Sequence, residues 1–302
     1  MAKNGGGSPL AGAGQNSGTL ARKPDWLKVA GFRSAEYLAV GGLLQRQGLQ
    51  TVCTLAICPN RGRCWEEGTA AFMILGGVCT RRCGFCAVPT GRPEPVDVEE
   101  PQRLLEAVRE LGLRHVVITS VDRDDLADGG AAHFAACIRA IREGVGEAVA
   151  VEVLVPDFLG KEGALPVVLA AKPAVFNHNM ETVARLYPLV RPAAHYEVSL
   201  ALLAQASRLG GVGMRVKSGI MLGLGESRAE VSELLAAMRG VGVELLTMGQ
   251  YLQPSRLQHP VVRFLRPEEF VELREEALGL GFVAVESHPL ARSSFHARQL
   301  AG

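Results

Sequence analysis

The sequence predicts an α/β fold, a partial (β/α)6 barrel with an extension at each end. Three observations carry that prediction. Short β-branched runs alternate with longer stretches of helical period, the pattern of βαβ units and a parallel sheet. Unusual polar segments follow the strands, and in a parallel barrel such loops gather on one face. A chain of 302 residues also suits one large barrel with appendages better than two separate sheets.

Strands are expected at Phe72–Gly76, His115–Ser120, Ala150–Val155, Ala174–Asn177, Arg215–Met221 and Leu245–Gln250. Helical stretches include Gln102–Leu111, His133–Glu143, Glu181–Leu189 and Arg228–Arg239. A last strand, Phe282–Glu286, precedes a polar tail, His288–Gly302. Short helices fit Pro24 to Gly48, with Leu38, Val40, Leu43 and Leu44 on one side. Residues 1–23 are rich in Gly, Ser and Ala and read as a disordered tail. The expected division is therefore that tail, an N-terminal extension over 24–70, the barrel over 71–280 and a C-terminal extension over 281–302.

Composition removes several classes of function. A 48% apolar and 21% charged chain can bury a core and is not a largely disordered protein. Its 32 basic residues against 31 acidic ones give no electrostatic footprint for nucleic acid or an anionic membrane. No apolar run reaches the ~18 residues of a membrane span, and the N-terminal stretch lacks the apolar core of a secretory signal. A cytoplasmic protein is expected. In a reducing compartment, seven cysteines point to metal or redox chemistry rather than disulfides.

Six of those cysteines stand at 53, 58, 64, 79, 83 and 86. Cys79, Cys83 and Cys86 form C-x3-C-x2-C directly after the first expected strand. Thiolates are the soft ligands that iron–sulfur clusters and zinc prefer. Three of them can wrap three corners of a four-iron cube and leave the fourth iron open. A zinc site borrowing a ligand from elsewhere is the other reading. Cys53, Cys58 and Cys64 form a second triplet, C-x4-C-x5-C, which fits a second cluster better than three buried core thiols. Cys137 stands alone in a helical-period stretch and reads as core.

The C-x3-C-x2-C motif with its aromatic Phe85 closely resembles the signature of the radical S-adenosylmethionine (SAM) enzymes. That resemblance implies that SAM chelates the open iron through its amino and carboxylate groups and is cleaved to a 5′-deoxyadenosyl radical. Such chemistry is needed where the target carbon has no accessible pKa for acid–base catalysis. The two triplets together resemble the lipoyl synthase family. CPNRGRCWEEGTAAFMILGGVCTRRCGFC, ITSVDRDDLADGGAAHF, EVLVPDF, VFNHNMETVARLYPLVRP, KSGIMLGLGE, GQYLQPS and RSSFHA all match its pattern. The likeness covers roughly residues 24–298.

The resemblance to that family implies two 4Fe–4S clusters and SAM as cofactors, with Ser294 as the fourth ligand of the Cys53/Cys58/Cys64 auxiliary cluster. Serine oxygen is a hard ligand on iron that prefers sulfur. It implies, too, that two sulfur atoms enter carbons 6 and 8 of an octanoyl chain on a lipoyl carrier protein or domain, with the auxiliary cluster as their source. An electron donor such as flavodoxin or ferredoxin and an iron–sulfur carrier for cluster repair are the further implied partners. By the same likeness, Asn179 and Glu181 are candidates for the ribose hydroxyls of SAM, Thr119 and Ser120 for its amino group. Gly223 and Glu226 belong to the element after the fifth strand on which the adenine packs. The family's tyrosine in RSSY-x-A is replaced here by Phe295, with the loss of one hydroxyl.

The Asp122–Gly130 segment fails the EF-hand pattern and reads as an active-site loop, with Arg123 pairing to Asp124 or Asp125. No H-E-x-x-H occurs, so zinc-hydrolase chemistry has no support. Two rivals stay open: another radical SAM enzyme that inserts sulfur or modifies peptides, and a non-catalytic iron–sulfur or zinc scaffold.

Overall fold

The computed structural model describes residues 22–28, 34–55, 58–66, 71–295 and 297–301. The expected tail falls outside them, apart from Arg22 and Lys23. In chain order come α1 (Ala35–Arg46), β1 (Gln50–Thr51), α2 (Val52–Leu55), α3 (Arg61–Glu66) and β2 (Ala71–Ile74). Then follow α4 (Glu100–Glu110), β3 (His115–Ser120), α5 (Ala131–Val145), β4 (Ala150–Leu154), α6 (Ala164–Ala170) and β5 (Val175–Asn177). The remainder is α7 (Tyr187–Val190), α8 (Tyr196–Leu209), β6 (Arg215–Leu222), α9 (Arg228–Gly240), β7 (Leu245–Gln250), α10 (Pro267–Gly279), β8 (Ala284–Ser287) and α11 (Ala297–Ala301).

The strands form one sheet in sequential order, β1 to β8. All neighbours from β2 to β8 are parallel, and β1 is antiparallel on β2. Among the described residues β8 pairs with β7 alone, so the barrel stays open. Parallel strands covered by helices are buried on both faces, which is why β2, β5 and β7 are buried at every position. The helices start where the sequence supplies caps. Ser227, for example, closes a capping box with Glu230 at the start of α9.

Alternation along the strands sorts side chains to one wall or the other. Met73, Thr119, Leu154, Gly219 and Gly249 face the mouth at the strand ends. Below them the interior is polar. Glu152 accepts from Lys217 Nζ at 2.8 Å, with His115 Nε2 and Asn177 Nδ2 each at 3.2 Å.

Several expectations need correction. β2 ends at Ile74, because Leu75 and Gly76 turn into left-handed backbone (φ 67° and 88°). The helix expected over Glu181–Leu189 is instead an isolated bridge, a 3-10 turn at Ala184–Leu186 and the short α7. Glu181 adopts φ 65° and pairs with β6 through its own N–H and C=O, at 3.0 and 2.9 Å. Pro188 can only sit in a first helical turn, where its missing N–H is not needed. Leu38 points to solvent, whereas Val40, Leu43 and Leu44 are buried. The polar tail is not a tail: Ala291, Phe295, Ala297 and Leu300 are buried.

Candidate active site

The C-x3-C-x2-C loop leaves the end of β2 and is fixed by its own backbone. Cys79 N–H donates to Pro89 O at 2.8 Å, and Gly91 N–H returns to Cys79 O at 3.0 Å. Gly84 lies against α7, its N–H 2.8 Å from Val190 O. A Cβ there would stand 2.9 Å from Leu189 O, so only glycine allows this approach.

Arg81, between the first two cysteines, is the anchor of the loop. Its buried guanidinium forks onto Asp124 at 2.7 and 2.8 Å and onto Asp157 at 2.7 and 3.0 Å. Asp122 completes the cage at 3.4 Å. Arg123 pairs with Asp125 at 2.8 and 2.9 Å, while Asp124 belongs to Arg81. The acidic loop after β3 thus holds the cysteine loop in place. Sequence reasoning missed this role of Arg81; the available signal was an arginine pair, Arg81 and Arg82, inside the cysteine loop, with three aspartates on later strand ends.

Cys79, Cys83, Cys86, Phe85, Thr119, Ser120, Asn179 and Glu181 line one cavity of about 210 Å³, together with Arg191. A second, of about 220 Å³, is lined by Cys53, Cys58 and Ser294. Phe85, Cys86, Leu154, Asn179 and Glu181 belong to both walls, so the cavities adjoin. Cys64, on α3, is half-buried and lines neither cavity. Gly223 and Glu226 also line neither. Glu226 accepts from the N–H groups of Gly223 and Leu224 at 2.6 and 2.9 Å and closes the turn after β6. Cys137 is fully buried on α5.

Arg292, Ser293 and Ser294 of the C-terminal motif, with Ala291 before them, line the second cavity. Asn179 Nδ2 donates to Ser293 Oγ at 2.6 Å, and Asn60 Nδ2, beside the auxiliary triplet, donates to Leu290 O at 2.6 Å. Arg63 stacks 5.5 Å over the Phe295 ring, which keeps the aromatic packing of this position without a hydroxyl.

The donor chemistry fits clusters in both places. Burial pushes the Cys53 and Cys79 thiols up to about 11 and Cys83 to about 12. Such thiols give up their protons to a metal, not to water. Ser120 Oγ, Asn179 Oδ1, His178 Nε2 and Arg191 Nε are buried without a hydrogen-bond partner, though all four residues line the first cavity. Unmet buried polar atoms are costly, and a polar ligand there would satisfy them.

Comparisons with known proteins agree with this geometry. A family profile described as the radical SAM superfamily matches residues 73–238. A lipoyl synthase from Methylococcus capsulatus is 56% identical over 285 residues, 94% of this chain and 88% of the relative. The chain belongs to the lipoyl synthase family. A second lipoyl synthase, from Nitrosococcus oceani, is 52% identical over 93% of this chain and 87% of the relative. Among solved structures, a methylornithine synthase shares the fold at a TM-score of 0.55 and 15% identity, over 70% of this chain and 63% of that one. A SAM-bound structure of SuiB from Streptococcus suis gives 0.54 and 12%, over 72% and 50%.

As a lipoyl synthase family member, the chain is a radical SAM enzyme of lipoate biosynthesis that inserts sulfur. SAM and 4Fe–4S clusters are its cofactors, and a lipoyl carrier and an electron donor are its partners. Among the described residues, no helix is long and apolar enough to cross a membrane.

Proposed function

We propose that this chain places sulfur at carbons 6 and 8 of an octanoyl chain, using a cluster held by Cys79, Cys83 and Cys86 and a second held by Cys53, Cys58, Cys64 and Ser294. When bound, the first cluster with SAM supplies a radical able to take hydrogen from unactivated carbon, and the second supplies the sulfur. One observation carries this reading: the two cysteine-lined cavities adjoin across Phe85 and Cys86. A substrate carbon in the shared wall can face both.

The second cavity suits an acyl chain. Its wall includes Val52, Leu154, Ile220, Met221, Tyr251 and Leu252, and each buried methylene contributes about 0.8 kcal/mol. In the first cavity Thr119 donates its proton to Leu154 O at 3.0 Å, which leaves oxygen lone pairs to accept from the N–H groups of the SAM amino group. Ser120 Oγ, unpartnered, offers the same. Burial pushes the Glu181 carboxyl up, and ribose hydroxyls donating to it would offset that cost. Gly223 and Glu226 shape the turn on which the adenine packs.

Residues 24–70 and 281–302 are, in this reading, the extensions that bring the auxiliary ligands to the 71–280 barrel. The reading also includes an octanoylated carrier protein, flavodoxin or ferredoxin as reductant, an iron–sulfur carrier for repair and a cytoplasmic location. The test is anaerobic incubation of an octanoylated lipoyl domain with the protein, SAM and a reductant, followed by mass spectrometry. A product heavier by two sulfurs is expected. SAM cleavage with no sulfur gained would contradict it.

A further inference from the structure

Lys217 of the KSGIMLGLGE stretch has no part in the chemistry above, yet it is wholly buried. Burying an ammonium is expensive unless every donor finds a good acceptor. Its Nζ has two acceptors: Glu152 Oε1 at 2.8 Å and the Ser293 carbonyl at 2.6 Å. Glu152, equally buried, is steadied by His115 and Asn177 at 3.2 Å each. A charged pair therefore stands in the barrel interior with one hydrogen bond aimed at the residue before Ser294.

The surroundings suit an inserted segment. Gly249 on β7 lies against the same stretch, and a Cβ there would overlap the Ala291 carbonyl. Pro289 O accepts from Gln250 N–H at 3.1 Å, and Leu290 O from Asn60 Nδ2 at 2.6 Å. These neutral contacts hold the entry of the segment. At its tip, Asn179 Nδ2 meets the Ser293 side chain at 2.6 Å, while Lys217 grips the Ser293 backbone with a charge-assisted bond.

We infer that Lys217, supported by Glu152, is a positioning residue that fixes the Ser293 carbonyl and thereby presents Ser294 to the auxiliary cluster. The inference rests on the proposed ligand role of Ser294. It explains why a barrel floor that could have been apolar carries a buried charge pair instead. Neutral replacement of such pairs is often tolerated by a fold, so the role assigned to the pair is the geometry it enforces rather than stability.

The test uses the cluster-loaded protein and the double variant Lys217→Met/Glu152→Gln, which leaves no buried charge unpaired. Two readouts are taken: amide hydrogen exchange over residues 289–295, and the Mössbauer spectrum of the auxiliary cluster with isotope-enriched iron. We expect exchange in that segment to rise roughly tenfold or more, with β6 and α9 still protected. The auxiliary iron signature should change in the same sense as in Ser294→Ala. Should the double variant not fold, Lys217→Gln/Glu152→Gln tests the same loss, because the shorter amide falls short of Ser293. Unchanged exchange and an unchanged signature, with Ser294→Ala altering the spectrum, would overturn the role of Lys217 and leave Ser294 as ligand. A spectrum unmoved by Ser294→Ala would remove Ser294 itself, and the inference with it.

Discussion

Arg81 grips Asp157 with two hydrogen bonds, Nη2 to Oδ1 at 2.7 Å and Nη1 to Oδ2 at 3.0 Å. The pair ties the cysteine loop after β2 to the end of β4, and both side chains are buried. Without the guanidinium, Asp157 would be a buried carboxylate with no cation. Breaking such a pair costs about 3–5 kcal/mol. Arg81→Met should therefore lower the urea midpoint strongly and reduce iron at the Cys79/Cys83/Cys86 site, while the auxiliary cluster persists. Full iron loading with unchanged stability would show that the loop does not depend on this anchor.

The two cysteine triplets should separate by function. On the proposed ligand assignment, Cys83→Ala removes one ligand of the cluster that meets SAM and should abolish SAM cleavage. Cys58→Ala leaves that cavity intact and should keep part of the SAM cleavage while yielding no sulfur-containing product. Chromatography of 5′-deoxyadenosine against mass spectrometry of the acyl chain resolves the two. If both folded variants lose both activities, the division is wrong.

Much of this arrangement was legible in the sequence, and the misses have physical causes. The βαβ alternation gave the parallel sheet and the open barrel because periodicity reports burial directly. The cysteine spacings marked two sites because few structural roles place six thiols so close together. By contrast, the stretch from His288 looked like a polar tail. Its Ala291, Phe295 and Leu300 are spaced without helical or strand period, yet all are buried. Ala291 lies against Gly249 of β7, Phe295 under Arg63 of α3, and Leu300 beside Val175 and Leu245 of β5 and β7, tertiary contacts with no local signature. Arg81 and Lys217 were passed over for the same reason: each partner lies more than forty residues away.

His178 should make the cluster-free protein lose stability in mild acid. Burial, with Arg191 nearby, pushes its imidazole from 6.5 down to about 4. The unfolded chain takes up that proton below about pH 6.5, whereas the folded protein does so only near 4. Its contribution is therefore whole above pH 6.5 and is lost as pH falls toward 4, by about 3 kcal/mol. Urea titrations across that range should show a steeper decline for the parent protein than for His178→Gln. Equal slopes would show that the ring is not held neutral.

If Ser294 is the fourth ligand, as proposed, its hard oxygen should matter because the proposed reaction requires that bond to yield. Ser294→Cys puts a softer, tighter ligand on the auxiliary iron. We expect the second cluster to assemble in this variant, by iron and sulfide analysis, and lipoyl product to fall severalfold or more. Undiminished product would take Ser294 out of the reaction while leaving the sulfur source untouched.

The central claim is that the cluster of Cys53, Cys58, Cys64 and Ser294 gives up its own sulfide to the acyl chain. The most direct measurement loads that cluster with isotopically labelled sulfide and runs one anaerobic turnover on an octanoylated lipoyl domain, with unlabelled sulfide in solution. Both sulfurs of the product should carry the label, and product should stop at a single lipoyl group per chain without a repair system. Unlabelled sulfur in that first product would contradict the account.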